Sequence, residues 1–149
     1  MTSPDPTGAE GTESSDGIGG RILDTTALIT AARGDLYMRA LFSLAHRRVI
    51  PLLAPATCVA DASAALHPHG RDALTAILRF PLVTLAGLDE SQAVGSGILR
   101  SAHRPVATTA GHVAYLAAAR QWPVITSAPT PLRTLYPSIE VETLPEVPS

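Results

Sequence analysis

The sequence has no lysine, a single cysteine and few aromatic residues, and these shortages exclude several classes of protein. All 11 basic residues are arginines, and Phe, Trp and Tyr make up 4% of the 149 residues. Because Cys58 is the only cysteine, neither an internal disulfide nor a metal site built of cysteines can form. No apolar run approaches the roughly 18 to 20 residues that cross a membrane, so we expect no membrane partner. The hydrophobic content of 46% suffices for the core of one domain.

The charge is unevenly distributed along the chain. Residues 1–19 carry four acids and no base, and residues 137–149 carry three acids. The segment between them has 11 arginines against six acids, which gives a net charge of +5. Arginine makes bidentate contacts with phosphate, so this basic segment is suited to RNA. A GC-rich genome would also produce an alanine-rich chain that uses only arginine, so the charge alone does not establish RNA binding.

Composition also predicts the domain boundaries. Residues 1–19 combine Pro, Gly and Ser with acids and carry almost no large apolar side chains, so they cannot offset the entropy of ordering the chain. We predict a disordered acidic tail over residues 1–19, one domain over residues 20–145 and a C-terminal tail over residues 146–149. The first 20 residues show no basic-then-apolar signal sequence, which predicts a cytoplasmic location.

The stretch from Arg21 to Ile29 is central to the predicted fold. Apolar residues lead into Asp24, and the apolar pattern resumes after Thr25 and Thr26, which predicts a short buried strand followed at once by a helix. Either threonine is a candidate N-cap of that helix. An acid at the carboxyl end of a strand lies where open α/β sheets place their ligands. Asp24 is therefore either a functional acid or only a helix cap.

Strands and helices alternate along the remainder of the chain. Short apolar runs predict further strands over residues 49–53, 82–85, 123–126 and 139–144. Helical patterns occupy the intervals, over residues 36–47, 55–66, 72–79, 89–100, 109–121 and 129–136. Pro51 suggests that the second strand lies at an edge or lacks one ladder hydrogen bond, and the His-Pro-His-Gly segment at residues 67–70 predicts a turn rather than a metal site. This alternation predicts an α/β fold of three layers, α/β/α, with a mostly parallel sheet of four or five strands.

Three motifs, in this order, resemble those of the PIN domain family, the fold of VapC-type toxin ribonucleases. The family's opening strand ends in an acid followed by two hydroxyl residues, Ala and Leu, and Leu23–Leu28 matches this pattern. Its second acid lies six residues after a proline that starts a helix, as Asp61 does after Pro55. Its last motif is matched by Pro123–Thr126 and the alanine-rich helix before it. The resemblance covers about residues 20–145 and implies a PIN-like domain.

The resemblance implies a metal-dependent ribonuclease site. Asp24 and Asp61 match two of the family's four acids, and they are the implied catalytic residues and ligands of a weakly bound Mg²⁺ or Mn²⁺. Ala110 and Ala128 stand where the other two acids are expected. The neighbouring polar residues are candidates for substrate binding: Thr26, Thr126, Ser127 and His112. The family also implies a homodimer and an antitoxin-type protein partner.

Three hypotheses of function follow. The leading one is a degenerate VapC-like PIN domain with weakened or lost Mg-dependent endoribonuclease activity, which retains binding of RNA, of protein or of both. The second is an active Mg²⁺- or Mn²⁺-dependent endoribonuclease toxin of a toxin-antitoxin system that uses a reduced set of acids. The third is a structural module that binds a partner, in which Asp24 only caps a helix and Asp61 forms a buried pair. If both acids face one cleft without a cation, repulsion should raise the pKa of one of them.

Overall fold

The computed structural model describes residues 19–145, which form five β-strands and seven α-helices. The strands are β1 (Arg21–Leu23), β2 (Leu52–Pro55), β3 (Val83–Ala86), β4 (Val124–Thr126) and β5 (Val141–Thr143). The helices are α1 (Thr25–Ala32), α2 (Leu36–Arg48), α3 (Ala56–Ala65), α4 (Pro68–Leu78), α5 (Glu90–Arg100), α6 (Thr108–Arg120) and α7 (Pro129–Leu135). The predicted tails over residues 1–19 and 146–149 lie outside the described residues, apart from Gly19. Within residues 19–145, every helix falls short of the length and apolar character that a membrane crossing requires.

The five strands form one parallel sheet in the order β3-β2-β1-β4-β5. At its centre, Ile22 of β1 is in register with Leu53 of β2 and Val124 of β4. Ile22 and Leu23 are fully buried, as expected for a central strand with helices on both faces of the sheet. The predicted three-layer α/β/α fold is confirmed, and its sheet has five strands.

Two predicted details are wrong. β2 lies between β1 and β3, so Pro51 does not mark an edge strand. Pro51 instead precedes the strand, and its carbonyl accepts a hydrogen bond of 3.0 Å from the Arg21 N–H. Residues 67–70 do not form an isolated turn, because α4 begins at Pro68. Proline is well suited to the first turn of a helix, where its missing N–H breaks no intrahelical bond.

Aspartates, rather than threonines, cap three of the helices. The side chains of Asp24, Asp35 and Asp89 accept hydrogen bonds from backbone N–H groups in the first turns of α1, α2 and α5. Thr25 and Thr26, the expected caps of α1, lie inside its first turn. Each aspartate satisfies an N–H that has no partner within its own helix. The start of α1 is thus fixed by the same acid that the sequence marks as a candidate functional residue.

Glycines allow α5 and α6 to pack closely against each other. A Cβ at Gly95 would collide with the ring of Tyr115, and a Cβ at Gly111 would lie 2.8 Å from the side chain of Arg100. The buried side of α6 is formed mainly by Val113, Ala114, Leu116 and Ala117. This packing fixes the N-terminal turn of α6 beside α3, where the candidate site lies.

Candidate functional site

Asp24 directly follows β1 and is built into the start of α1. Its Oδ1 accepts hydrogen bonds from the Ala27 N–H at 3.0 Å and from the Thr26 hydroxyl at 2.7 Å. Asp24 is only 8% exposed. Burial raises the pKa of its carboxyl above the ordinary value of 3.8, and hydrogen bonds from Thr126, Thr26 and Ala27 lower the pKa by less. Asp24 is therefore a structural cap whose charged form is disfavoured by its surroundings.

Asp61 lies on α3 and is exposed at the surface. Its Oδ2 accepts a hydrogen bond of 2.7 Å from the Thr109 hydroxyl, which joins α3 to the first turn of α6. The buried pair expected in the structural hypothesis does not form, because the partner is a hydroxyl in an exposed contact. The expected repulsion between the two acids is not what raises the pKa of Asp24, since burial raises it and the hydrogen bonds to the carboxyl lower it.

The two acids line one cavity of about 530 Å³. Ala110 and Ala128, which stand where the resemblance to PIN domains implies two further acids, line the same cavity. The remaining wall is mostly apolar or hydroxyl-bearing: Thr25, Thr26, Cys58, Pro105, Val106, Ala107, Thr109, Val113, Thr130, Pro131, Leu132 and Thr134. These lining residues include no arginine and no histidine. The cavity has the volume and the largely apolar lining typical of a small-molecule pocket, and the ionisable groups that residues 19–145 contribute to it are two carboxylates and the thiol of Cys58.

Threonine hydroxyls fix the loop that brings Ala128 to the cavity. The Thr26 hydroxyl, which donates to Asp24, accepts a hydrogen bond of 2.8 Å from the Ser127 N–H. The Thr126 hydroxyl accepts one of 2.8 Å from the Ala128 N–H. Among the residues predicted to bind substrate, Thr26 lines the cavity. Thr126 is fully buried and Ser127 is exposed, and neither lines the cavity.

His112, the remaining candidate for substrate binding, is fully buried and does not line the cavity. Its Nδ1 lies 2.8 Å from the Thr57 hydroxyl, and its Nε2 lies 2.7 Å from the side-chain oxygen of Gln92. An amide oxygen only accepts, so Nε2 carries the proton and Nδ1 accepts from Thr57 in a neutral ring. Burial lowers the pKa of His112, and the charge of Asp89 opposes that effect more weakly. The position of His112 is that of a packing residue between α3, α5 and α6, and it does not support the predicted role.

Sequence reasoning missed Cys58 as a neighbour of the two acids. Cys58 lies three residues before Asp61 on α3, and this helical spacing was a signal that both face the same side. Burial raises the pKa of Cys58 to about 12; hydrogen bonds with Thr25 lower this pKa, and the charges of Asp24 and Asp61 raise it by less than Thr25 lowers it. Its thiol remains protonated at neutral pH and is not a nucleophile.

The donor set fits one weakly held divalent ion. Among residues 19–145, no three side chains of His, Cys, Asp or Glu come together as a metal-binding group. Mg²⁺ can be held by one or two carboxylates when water and substrate phosphates complete its shell, so Asp24 and Asp61 would suffice for a single ion. Each of them already accepts a hydrogen bond on one oxygen. A two-metal site would need carboxylates where Ala110 and Ala128 stand.

The arrangement of strands and helices is similar to that of solved structures with little sequence identity. A chain in the crystal structure of VapBC2 from Rickettsia felis, bound to a DNA fragment from their promoter, aligns with a TM-score of 0.67. The alignment covers 84% of this chain and 98% of that chain at 12% identity. The protein has a PIN-like fold. DNA-bound VapBC from Salmonella typhimurium aligns with a TM-score of 0.64 at 19% identity, and it covers 83% of this chain and 97% of that chain.

A third structure, FitAcB from Neisseria gonorrhoeae, supports the same PIN-like fold. It aligns with a TM-score of 0.57 at 20% identity, over 81% of this chain and 95% of that chain. No protein-family model matches the sequence, and neither does any curated protein. At these identities the PIN-like similarity concerns the fold, and function has to be argued from the residues of the cavity.

Proposed function

We propose that the protein is a degenerate VapC-like PIN domain in which metal-dependent endoribonuclease activity is weakened or lost and binding of a protein partner is retained. The observation that carries this proposal is the lining of the cavity, where Ala110 and Ala128 stand beside Asp24 and Asp61. Metal-assisted cleavage of a phosphodiester needs a firmly held ion that activates water and stabilises the leaving oxygen. A methyl group in place of a carboxylate removes both a ligand and a negative charge.

The state of the two remaining acids supports the same conclusion. Asp24 uses Oδ1 to cap α1, and its burial disfavours the charged form that a metal ion would need. Asp61 uses Oδ2 to accept from Thr109. These two residues would hold one Mg²⁺ or Mn²⁺ weakly, and a bound ion would supply the activation of water. The remaining residues of the wall contribute shape and apolar surface rather than acid–base chemistry.

The character of the cavity favours a protein partner over RNA. Among the described residues, RNA phosphates placed there would meet two carboxylates and no basic side chain, which is an unfavourable electrostatic match. RNA binding, if retained, would rely on arginines outside the cavity. The resemblance to VapC toxins implies an antitoxin-type partner in the cytoplasm, and the similarity to chains in VapBC structures supports the same proposal. The lack of acids at positions 110 and 128 would not remove a surface that binds an antitoxin-type partner.

An RNA cleavage assay tests the proposed loss of activity. The full chain is incubated with single-stranded RNA and Mg²⁺ or Mn²⁺, with EDTA as one control and Asp61→Asn as the other. Asn keeps the shape of the side chain and can still accept from Thr109, so it isolates the effect of the charge. We expect the wild type to cleave little or no more RNA than this variant does. Multiple-turnover, metal-dependent cleavage that Asp24→Asn and Asp61→Asn both abolish would overturn the proposal in favour of an active nuclease with two acids.

A further inference from the structure

The cavity that Asp24 and Asp61 line is larger than a metal ion requires. Its volume is about 530 Å³. A divalent ion with six water molecules fills only about 180 Å³, at about 30 Å³ for each water. Sites for organic molecules typically have volumes of roughly 300 to 1,000 Å³. The size of the cavity therefore favours an organic ligand over a hydrated ion.

The short hydrogen bonds of the two acids each use one carboxylate oxygen. The Ala27 N–H and the Thr26 hydroxyl both donate to Oδ1 of Asp24. The Thr109 hydroxyl donates to Oδ2 of Asp61. Oδ2 of Asp24 and Oδ1 of Asp61 therefore remain available as acceptors for a ligand in the cavity, which both residues line.

Neither acid has a basic partner in the described part of the chain. The ion pair formed within residues 19–145 joins Arg21 to Glu142. Asp24 is only 8% exposed, and a buried charge without a partner of opposite sign is costly. A cation in the cavity would offset this cost, because the attraction between opposite charges is stronger away from water. The charge of the ligand that fits is therefore positive.

The remaining wall of the cavity is mostly apolar. Its apolar side chains belong to the loop between α5 and α6, to α6 and to α7, and they include Pro105, Val106, Val113 and Leu132. Such groups offer no ligand to a hydrated metal ion, whereas they remove the hydrocarbon part of an organic molecule from water. A ligand that suits the whole wall combines a positive charge with an apolar body.

We propose that the cavity binds a small organic amine, whose ammonium group pairs with Asp24 and Asp61 and whose apolar body packs against the rest of the wall. A primary ammonium has three N–H donors, so it can donate to more than one carboxylate oxygen. This inference rests on the proposed weakening of the metal site, because a firmly held metal ion would occupy the same two carboxylates. It adds the chemical class of the ligand that the altered site takes.

Calorimetric titration of the full chain at neutral pH, in the presence of EDTA, tests the proposal with three probes. Tryptamine carries an ammonium group and an indole ring, tryptophol has a hydroxyl in place of the ammonium group, and ethylamine lacks the ring. We expect tryptamine to bind at least tenfold more tightly than either of the other two. It alone combines charge-assisted hydrogen bonds with the burial of an apolar body.

Three single variants then locate the site. Asp24→Asn and Asp61→Asn each remove one charge, and their amide oxygens can still accept from the Ala27 N–H and the Thr109 hydroxyl. Each is expected to weaken the binding of tryptamine at least fivefold. Asp35→Asn is the matched control, because Asp35 also caps a helix but does not line the cavity, and it should bind tryptamine like the wild type. Circular dichroism verifies that all three variants are folded.

The inference and the proposed function fail on different results. A wild type that does not bind tryptamine, or that binds tryptophol equally tightly, would overturn the inference. So would wild-type affinity for tryptamine in both Asp24→Asn and Asp61→Asn. None of these results bears on the loss of nuclease activity, which the RNA cleavage assay measures. Multiple-turnover, metal-dependent cleavage would overturn the proposed function, while the titrations in EDTA would still measure binding of the amine.

Discussion

Replacement of Asp24 by Asn tests the dual nature of this residue, which caps α1 and yet carries a buried carboxyl. Burial raises its pKa in the folded protein above 3.8. Between 3.8 and the raised value, the folded protein holds a proton that the unfolded chain has released, so the free energy of unfolding falls as the pH rises through this window. Above this window, burial of the carboxylate lowers the free energy of unfolding of the wild type by a constant amount, about 1.4 kcal/mol for each unit by which the pKa is raised.

Asp24→Asn removes this penalty and keeps the cap, since Asn caps helices about as well as Asp. It should therefore be more stable than the wild type at neutral pH, and this advantage should disappear below pH 3.8. Asp24→Ala also removes the charge but loses the hydrogen bond to the Ala27 N–H. Its free energy of unfolding should be about 1 kcal/mol lower than that of the Asn variant, which corresponds to roughly 3 °C in melting temperature for a domain of this size.

Thermal unfolding followed by circular dichroism, in the presence of EDTA, measures all three proteins over a range of pH. The reasoning is refuted if Asp24→Asn is less stable than the wild type at neutral pH by as much as Asp24→Ala is. That result would mean that the carboxylate is stabilised in the fold by a positive charge, and that its burial is not the dominant effect.

Two further perturbations have clear expected outcomes. His112→Leu removes two side-chain hydrogen bonds, to Thr57 and Gln92, and should lower the melting temperature by roughly 6 °C, equivalent to about 2 kcal/mol. Burial lowers the pKa of His112 below 6.5, so the stability that its neutral ring provides should be lost as the pH falls below 6.5. The difference in melting temperature between the wild type and His112→Leu should therefore narrow in acid. A difference that stays constant with pH would contradict the assignment of a neutral ring. Deletion of residues 1–18 should leave the melting temperature unchanged, and a decrease of more than about 5 °C would show that these residues pack on the domain. If RNA binds the basic segment, the deletion should also increase the affinity for RNA, and this affinity should still fall as the salt concentration rises.

The parts of the fold that the sequence predicted are those determined by local pattern. An apolar run ending in Asp24, two hydroxyl residues and a renewed apolar run are enough to predict β1 and the start of α1. The cap was misassigned because Asp24, Thr25 and Thr26 are all good N-cap residues, and only the backbone shows which of them precedes the first helical residue. The positions of Ala110 and Ala128 in the cavity were expected from the motif spacing of the PIN family.

The prediction for His112 failed to account for the geometry of the helix. Ala110 and His112 are two residues apart on α6, which separates their side chains by about 200°, so they cannot both face the cavity. The partners of His112 on α3 and α5 are distant in sequence, and no local pattern identifies them. The hydrogen bond between Asp61 and Thr109 likewise joins residues 48 positions apart. Such contacts depend on how the helices pack, which the sequence pattern does not determine.

Calorimetric titration with Mn²⁺ tests the central claim most directly. The wild type is compared with the double variant Ala110→Asp, Ala128→Asp and with its uncharged control Ala110→Asn, Ala128→Asn. Both alanines line the cavity without being fully buried, so the added side chains can be accommodated there. We predict weak binding to the wild type, with a dissociation constant on the order of millimolar, at least tenfold tighter binding to the Asp variant and no gain for the Asn control. Micromolar binding by the wild type that depends on Asp24 and Asp61, or no binding even by the Asp variant, would contradict the account of a degenerate metal site.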